Sequence, residues 1–135
     1  MRSTDDDKTL NLSGAWRGVF SYPKRFDSVS FSATLAEKDS WLTGTTQEPR
    51  SQREERGLTI TASLQGRRVG TSVTWLKLYD HAPHLHSVHY AGVVSNDGDE
   101  IHGRWEIPGI WSGAFLMIRE GGAGVALARG TTAVV

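Results

Sequence analysis

Eight short segments in which apolar and polar residues alternate occupy positions 13 to 120 of the chain. Alternation with a period of two is typical of a β-strand that turns one face to a core and the other to water. None of these segments has the 3.6-residue period of an amphipathic helix. The predicted strands span residues 13–22, 27–37, 40–48, 57–66, 68–79, 86–95, 100–107 and 110–119. The pattern therefore predicts an all-β protein.

The connections between the segments favour antiparallel pairing of consecutive strands. The run Asn96-Asp97-Gly98-Asp99 and the pair Pro108-Gly109 are both typical of tight hairpin turns. Consecutive antiparallel strands hide their edges by closing into a barrel or by forming a sandwich. We predict an eight-stranded antiparallel up-and-down β-barrel. A sandwich whose faces are partly covered by loops is the alternative.

The same pattern divides the chain into three parts. A polar, acidic N-terminal segment covers residues 1–12, the β-barrel domain covers 13–120, and a Gly-rich flexible tail covers 121–135. The charged stretch 49–57 between the third and fourth predicted strands is interpreted as a solvated loop. A lid over the mouth of the barrel is the alternative, because long loops are often functional.

Composition excludes several classes of protein. Lys and Arg total 15, as do Asp and Glu, so no basic excess favours nucleic acid or an anionic membrane as a partner. The chain has no cysteine, which excludes disulfides and thiolate metal sites. Residues 1–12 lack the apolar stretch of a signal peptide, and no apolar run approaches the roughly 20 residues of a membrane span. We expect a cytoplasmic protein without a cofactor.

The outer faces of the fifth to eighth predicted strands are unexpectedly apolar. Leu76 and Leu78 occupy that face on the fifth strand, and Leu116 and Ile118 do so on the eighth. Large apolar patches on a barrel exterior usually mark interfaces. We therefore predict self-association through these four strands, most simply as a twofold dimer. Glycines inside these strands allow close approach or curvature of the sheet; they are Gly92, Gly103 and Gly113.

The segment Leu12-Ser13-Gly14-Ala15-Trp16 resembles the Gly-x-Trp opening of the calycin superfamily, which comprises lipocalins, fatty-acid-binding proteins and avidins. The resemblance implies that Trp16 closes one end of the barrel and that Arg119, on the last strand, packs across it. The chain is most similar to the avidin family, over residues 12–119. That similarity is carried by Leu42-Thr43-Gly44-Thr45, by Gly70 and Trp75, by His86-Ser87, and by Trp105 and Trp111.

The biotin site of the avidin family does not carry over to this chain. The family's asparagine and serine around the first strand correspond to Gly18 and Tyr22. Its third-strand tyrosine and serine fall near Thr46 and Glu48, and its late aspartate falls near Arg119. Each polar group of biotin left without a partner costs about 1–3 kcal/mol. We therefore do not expect tight biotin binding.

Histidines are the residues most suggestive of catalysis or metal binding. The chain has five: His81, His84, His86, His89 and His102. Three converging imidazoles would make a zinc site, but the spacing matches no established motif, so neither metal ligands nor catalytic residues are predicted. Solvated loop positions and cross-strand pairs are the simplest interpretation of these histidines. His89 has the same strand parity as Ser87, which predicts that it points inward.

These residues together predict a non-enzymatic barrel that binds a small, partly apolar molecule. The expected ligand-binding residues are Trp75, Trp105 and Trp111 as apolar walls and Tyr22, Ser87 and His89 as polar contacts. Lys77 shares a face with Trp75; a solvated rim lysine and a contact to an anionic ligand are both compatible with its position. An enzyme that uses the histidine cluster, or an interaction module with a packed interior, are the alternatives.

Overall fold

The computed structural model describes residues 10–23, 28–49, 59–80 and 87–121. Within these ranges the chain forms strands and turns, and it contains no helix of the length and apolar character that crosses a membrane. The strands are β1 (Gly14–Ser21), β2 (Val29–Lys38), β3 (Trp41–Pro49), β4 (Thr59–Val69), β5 (Ser72–Tyr79), β6 (Val88–Val94), β7 (Glu100–Ile107) and β8 (Trp111–Arg119).

The sheet closes into a barrel. Each strand pairs antiparallel with the next along the chain, and β8 pairs with β1 in a register that runs from Trp16 opposite Arg119 to Ser21 opposite Ala114. Closure removes both edges of the sheet, so no strand is left with a row of unpaired backbone N–H and C=O groups. The predicted eight-stranded up-and-down barrel is confirmed, and the sandwich alternative is wrong. The three-part domain division stays a prediction, since residues 1–9 and 122–135 lie outside the described ranges.

The alternation of the sequence matches the two faces of the wall. On β2, Phe31 and Leu35 are buried, whereas Ser32 and Thr34 are exposed. All eight strands contribute to the single core inside the barrel, which is the burial that drives folding. Its large side chains are Trp16, Phe20, Phe31, Leu35, Leu42, Leu64, Val73, Trp75, Val88, Tyr90, Val94, Ile101, Trp105, Phe115 and Met117.

Inward-facing glycines make room for this aromatic core. A Cβ at Gly18 would meet the ring of Phe31, and one at Gly113 would lie 2.6 Å from the indole nitrogen of Trp105. At Gly92 the added atom would lie 2.9 Å from the ring of Phe115. The close approach predicted for the strand glycines therefore occurs within the barrel, where each large ring occupies the space that a second side chain would need.

The boundary between β4 and β5 lies later than predicted. β4 continues to Val69, and the turn is at Gly70 and Thr71, where Gly70 has a φ of 62°. The reason is Arg68, which points inward and forms an ion pair with Glu37 at 2.7 Å, so the strand continues through this arginine. Val69 consequently lies on the outer face and is exposed.

One end of the barrel, called here the plug end, is closed by Trp16. The guanidinium of Arg119 lies 4.6 Å from the centroid of the Trp16 ring, as the calycin resemblance implied. The indole nitrogen of Trp16 donates a hydrogen bond of 2.9 Å to the carbonyl of Leu12. The opposite end, called the loop end, is where β1, β3 and β5 end and where β2, β4 and β6 begin.

Candidate functional site

Three of the predicted ligand-binding residues meet at the loop end. The ring of Tyr22, which follows β1, lies 5.5 Å from the ring of Trp105 on β7 and 5.0 Å from that of Trp111 on β8. The indole nitrogen of Trp105 donates to the carbonyl of Ser21 at 2.9 Å, which fixes that ring. Trp105 is buried, whereas Trp111 is 39% exposed. The three rings, called here the ring cluster, thus extend from solvent to the interior.

Trp75 lies deeper in the barrel than the ring cluster. Its ring is stacked on Tyr90 at a centroid distance of 5.6 Å, and Phe115 packs against both. Trp75 is only 5% exposed. It belongs to the packed core, and it also forms part of the wall beneath the loop end.

A buried ion pair lies inside the barrel. Lys77 on β5 and Glu48 on β3 both point inward, and the ammonium nitrogen is 2.7 Å from Oε1 of the carboxylate. The side chain of Lys77 is 2% exposed and that of Glu48 is 8% exposed. The interpretation of Lys77 as a solvated rim residue is therefore wrong. A buried pair of this kind persists because each charge neutralises the other away from water.

Aromatic rings enclose the ammonium group of Lys77. Its nitrogen lies 4.8 Å from the ring centroid of Tyr79, 5.0 Å from that of Phe20 and 5.8 Å from that of Tyr90. Cation–π attraction offsets part of the lost hydration. Burial nevertheless lowers the pKa of Lys77, and the charge and hydrogen bond of Glu48 act in the opposite direction.

The tyrosines around the pair stay neutral at ordinary pH. Burial, followed by the charge of Glu48, raises the pKa of Tyr22 and of Tyr79. Burial also raises the pKa of Tyr90, with smaller effects from Tyr79 and Glu48. A neutral phenol keeps its proton and donates hydrogen bonds. Among the described residues the buried charged side chains are those of Glu48 and Lys77 at the loop end and of Arg68 and its partner Glu37 at the plug end.

Thr46 has an unsatisfied hydroxyl beside this pair. Its side chain is buried, and its Oγ1 forms no hydrogen bond within the described part of the chain. Thr46 lies on β3 between Gly44 and Glu48, and Lys77 is in register with Gly44 through Leu64 of β4. The lysine side chain therefore extends toward the loop end to reach Glu48, and Thr46 lies between Gly44 and Glu48 on the same face of β3. A buried hydroxyl without a hydrogen-bond partner costs about 1–3 kcal/mol in folding free energy, so its presence in the core calls for an explanation.

Thr46, Glu48, Lys77 and Tyr79 are called here the polar cluster. The sequence offered a signal for it, because Glu48 has the inward parity of Leu42 and Thr46, and Lys77 lies between two inward aromatic residues. Opposite charges on two inward faces indicate a buried pair. What that pattern does not give is which strands bring the two charges together.

His89 does not join the site. β6 turns Val88, Tyr90 and Val94 inward, so His89, on the other face of the strand, is exposed opposite Glu106 of β7. The predicted inward orientation of His89 is wrong. Ser87 precedes β6 at the loop end and is half-buried.

The histidine cluster is largely untested. His81, His84 and His86 lie outside the described residues, and His102 is exposed on β7, opposite Val93. Within the described ranges no group of three His, Asp or Glu side chains is arranged to hold a metal ion.

The outer face of β4 to β8 carries a shallow groove of about 640 Å³. Exposed apolar residues flank it, including Leu78 and Val93. β7, however, turns His102, Arg104 and Glu106 outward, so the predicted apolar exterior does not extend to this strand. The outward residues that line the groove are Gln65, Arg67, Thr74, Leu76, His89, Ala91, Arg104, Glu106 and Ser112.

Comparison with known proteins adds no relative: no family model matches the chain, and no curated protein matches it. The resemblance to avidins therefore rests on the residues quoted for it. The eight-stranded closed antiparallel barrel stands on the strand pairing alone.

Proposed function

We propose that the protein is a non-enzymatic binder of a small, partly apolar molecule that enters the barrel at its loop end. The observation that carries this proposal is the buried, unsatisfied hydroxyl of Thr46 beside the Glu48–Lys77 pair. Apolar sites with a few converging polar groups are typical of small-molecule binding. The ring cluster offers the apolar surface, and the polar cluster offers the hydrogen bonds.

The exposure of the ring cluster also supports this entry route. Trp111 is partly exposed and Trp105 is buried, with Tyr22 in contact with both, so a planar ligand would meet an aromatic surface as it enters. Stacking on such rings contributes about 0.5–1.5 kcal/mol per pair beyond area burial. We assign Trp75 to the deeper wall and Ser87 to the rim of the same site.

We further propose that the barrel is calycin-like, with avidins as the nearest family. The Arg119–Trp16 stack at the plug end supports this assignment. Tight biotin binding is still not expected, because a charged pair, Glu48 and Lys77, occupies the interior near the positions that hold biotin's polar groups in that family.

The test begins with mass spectrometry of what co-purifies with the native protein, followed by thermal unfolding with the compound identified. We expect one compound at near-stoichiometric amount and a raised Tm, since a ligand that binds the folded state stabilises it. Trp111→Ala should weaken binding about tenfold. The matched control is Trp41→Ala, since Trp41 is 58% exposed and lies at the plug end under Arg67. Equal effects of the two variants would contradict the proposed site.

Self-association through the exterior of β5 to β8 is a second proposal. The exposed Leu78 and Val93 support it, as do the opposite charges of Arg104 and Glu106, which are self-complementary about a twofold axis. Sedimentation should show a dimer at micromolar concentration and a monomer for Val93→Asp. Thr34→Asp is the control, because Thr34 is exposed on the outer face of β2, which is not part of the proposed interface. A monomeric wild-type protein would overturn this proposal.

A further inference from the structure

We propose that the barrel selects an electrically neutral ligand whose hydrogen-bonding head group pairs with the Thr46 hydroxyl, and that the Glu48–Lys77 pair enforces this neutrality. The inference rests on the proposed function and specifies the chemistry of its ligand. It follows from the charges, contacts and burial of the polar cluster.

Among the described residues, the interior at the loop end contains one cation and one anion, Lys77 and Glu48, which form an ion pair. Their N–O distance is 2.7 Å, and both side chains are more than nine-tenths buried. The rings nearest to the ammonium group belong to Phe20, Phe31, Tyr79 and Tyr90 and carry no formal charge. The described interior at this end is therefore balanced before any ligand enters.

A charged ligand would disturb that balance. A carboxylate bound beside Lys77 would compete with Glu48 for its charge and would place two buried anions against one cation. An ammonium group would compete with Lys77 for Glu48 in the same way. A buried charge without a partner is strongly unfavourable, whereas a neutral group leaves the pair intact.

The hydroxyl of Thr46 supplies what a neutral head group needs. A hydroxyl donates one hydrogen bond and accepts others, and this one is buried without a partner in the described part of the chain. An amide, a lactone, a ketone or an alcohol would satisfy it. The remainder of the ligand should be flat and apolar, to match Trp105 and Trp111 of the ring cluster. The site therefore fits a neutral aromatic or alicyclic molecule with one polar end.

Three probes with one bicyclic body separate charge from shape: 2-naphthamide is neutral, 2-naphthoate is an anion and 2-naphthylmethylammonium is a cation. Calorimetric titration at pH 7 should show wild-type protein binding the amide at least tenfold more tightly than either ion. Glu48→Gln leaves Lys77 unpaired and should shift the preference to the anion. Lys77→Met leaves Glu48 unpaired and should shift it to the cation.

Two further variants isolate the hydroxyl and guard against loss of folding. Thr46→Val should weaken binding of the amide about tenfold, whereas Thr45→Val, on the outer face of the same strand, should not. The double variant Glu48→Gln/Lys77→Met leaves no unpaired charge, so it should fold and still prefer the amide. If one single variant does not fold, the other decides the matter: its preference should change to the oppositely charged probe, whereas the double variant should keep the preference for the amide.

The outcomes distinguish the two proposals. If no probe binds and nothing co-purifies, the proposed function itself fails, and the neutral-ligand inference fails with it. If the probes bind but the ions equal or exceed the amide, only the inference is overturned. A charged co-purifying compound that Thr46→Val still binds unchanged would overturn the inference as well.

Discussion

The two ends of the barrel both bury cations but satisfy them differently. At the plug end, Arg119 donates to the carbonyls of Asn11, Ser13 and Gly98 and to the carboxylate of Asp99, at 2.9 to 3.2 Å. The guanidinium thereby completes the hydrogen bonding of chain segments that no strand pairs. Arg119, whose side chain is 21% exposed, shows how a partly buried charge stabilises the fold.

Arg68 repeats the arrangement at the plug end. It donates to Glu37, to the carbonyl of Gly70 and to that of Leu10, all within 3.0 Å. Lys77, at the loop end, donates a hydrogen bond to Glu48, and the other contacts that its ammonium group makes within the described ranges are to aromatic rings. The difference indicates that the plug end is saturated for stability, whereas the loop end keeps hydrogen-bonding capacity that the fold does not use.

The largest effect should come from breaking the buried pair. Lys77→Met leaves the Glu48 carboxylate buried without a cation, and we expect a loss of about 3–5 kcal/mol in the free energy of unfolding at pH 7. Urea denaturation measures it. Adding Glu48→Gln should recover most of the loss, and Lys38→Met, at an exposed position on β2, should change little. A loss below about 1 kcal/mol would mean that the pair is not buried.

The plug end should respond to a conservative change of its cation. Arg119→Lys keeps the charge but loses the planar group that stacks on Trp16 and several hydrogen bonds, so we expect a loss of about 2–3 kcal/mol. Arg17→Lys is the control, because Arg17 is 69% exposed and its ion pair with Glu120 is long, at 3.8 Å. That control should stay within about 0.5 kcal/mol. Similar losses in the free energy of unfolding for the two variants would contradict the stabilising role assigned to Arg119 at the plug end.

The loop end should give stability a two-sided pH dependence. Burial lowers the pKa of Lys77 below 10.5 in the folded protein. Between that lowered pKa and pH 10.5 the unfolded chain binds more protons than the folded one, so stability rises with pH. Burial raises the pKa of Tyr79 above 10.0, so above about pH 10 stability falls, by about 1.4 kcal/mol per pH unit for each such tyrosine. Denaturation between pH 7 and pH 11 tests both: Lys77→Met should lose the rise, and Tyr79→Phe part of the fall. Profiles that coincide with wild type would refute the assignment.

The smallest effect should be a gain. Thr46→Val removes a buried hydroxyl without a partner and keeps the shape of the side chain, so we expect about 1 kcal/mol more stability. Thermal and urea unfolding measure it, with Thr45→Val as the exposed control. Combined with the weaker amide binding expected for the same variant, the gain would show that the hydroxyl is kept at the expense of stability. A loss of stability would indicate that the hydroxyl has a partner.

Much of the fold could be predicted because, in most strands, the alternation of apolar and polar residues shows which face turns to the core. On β2 the alternation between Phe31 or Leu35 and the intervening hydroxyl residues leaves one arrangement with a dry interior. On β6 both faces carry apolar residues, so the parity of His89 was ambiguous, and closure of the barrel decided it. The β4–β5 turn was misplaced because Arg68, a charged residue, lies inside a strand and finds its partner far away in sequence, at Glu37.

The candidate site was predictable only in its aromatic half. Tyr22, Trp105 and Trp111 stand out as large inward rings near strand ends, and they do meet. The pair of Glu48 and Lys77 joins residues 29 positions apart on strands that are not neighbours. This contact lies inside the barrel between β3 and β5, which β4 separates, and the pairing of adjacent strands does not predict it.

Because β1 and β8 pair through backbone hydrogen bonds like any other neighbouring strands, the closed sheet does not depend on which strand comes first in the chain. Trp16 and Arg119 lie side by side across the β1–β8 pairing, so a peptide that links the segment before β1 to the end of β8 would let new termini be placed in the exposed turn at residues 108–110. Such a circular permutant would keep every strand pairing while moving the chain ends from the plug end to the loop end.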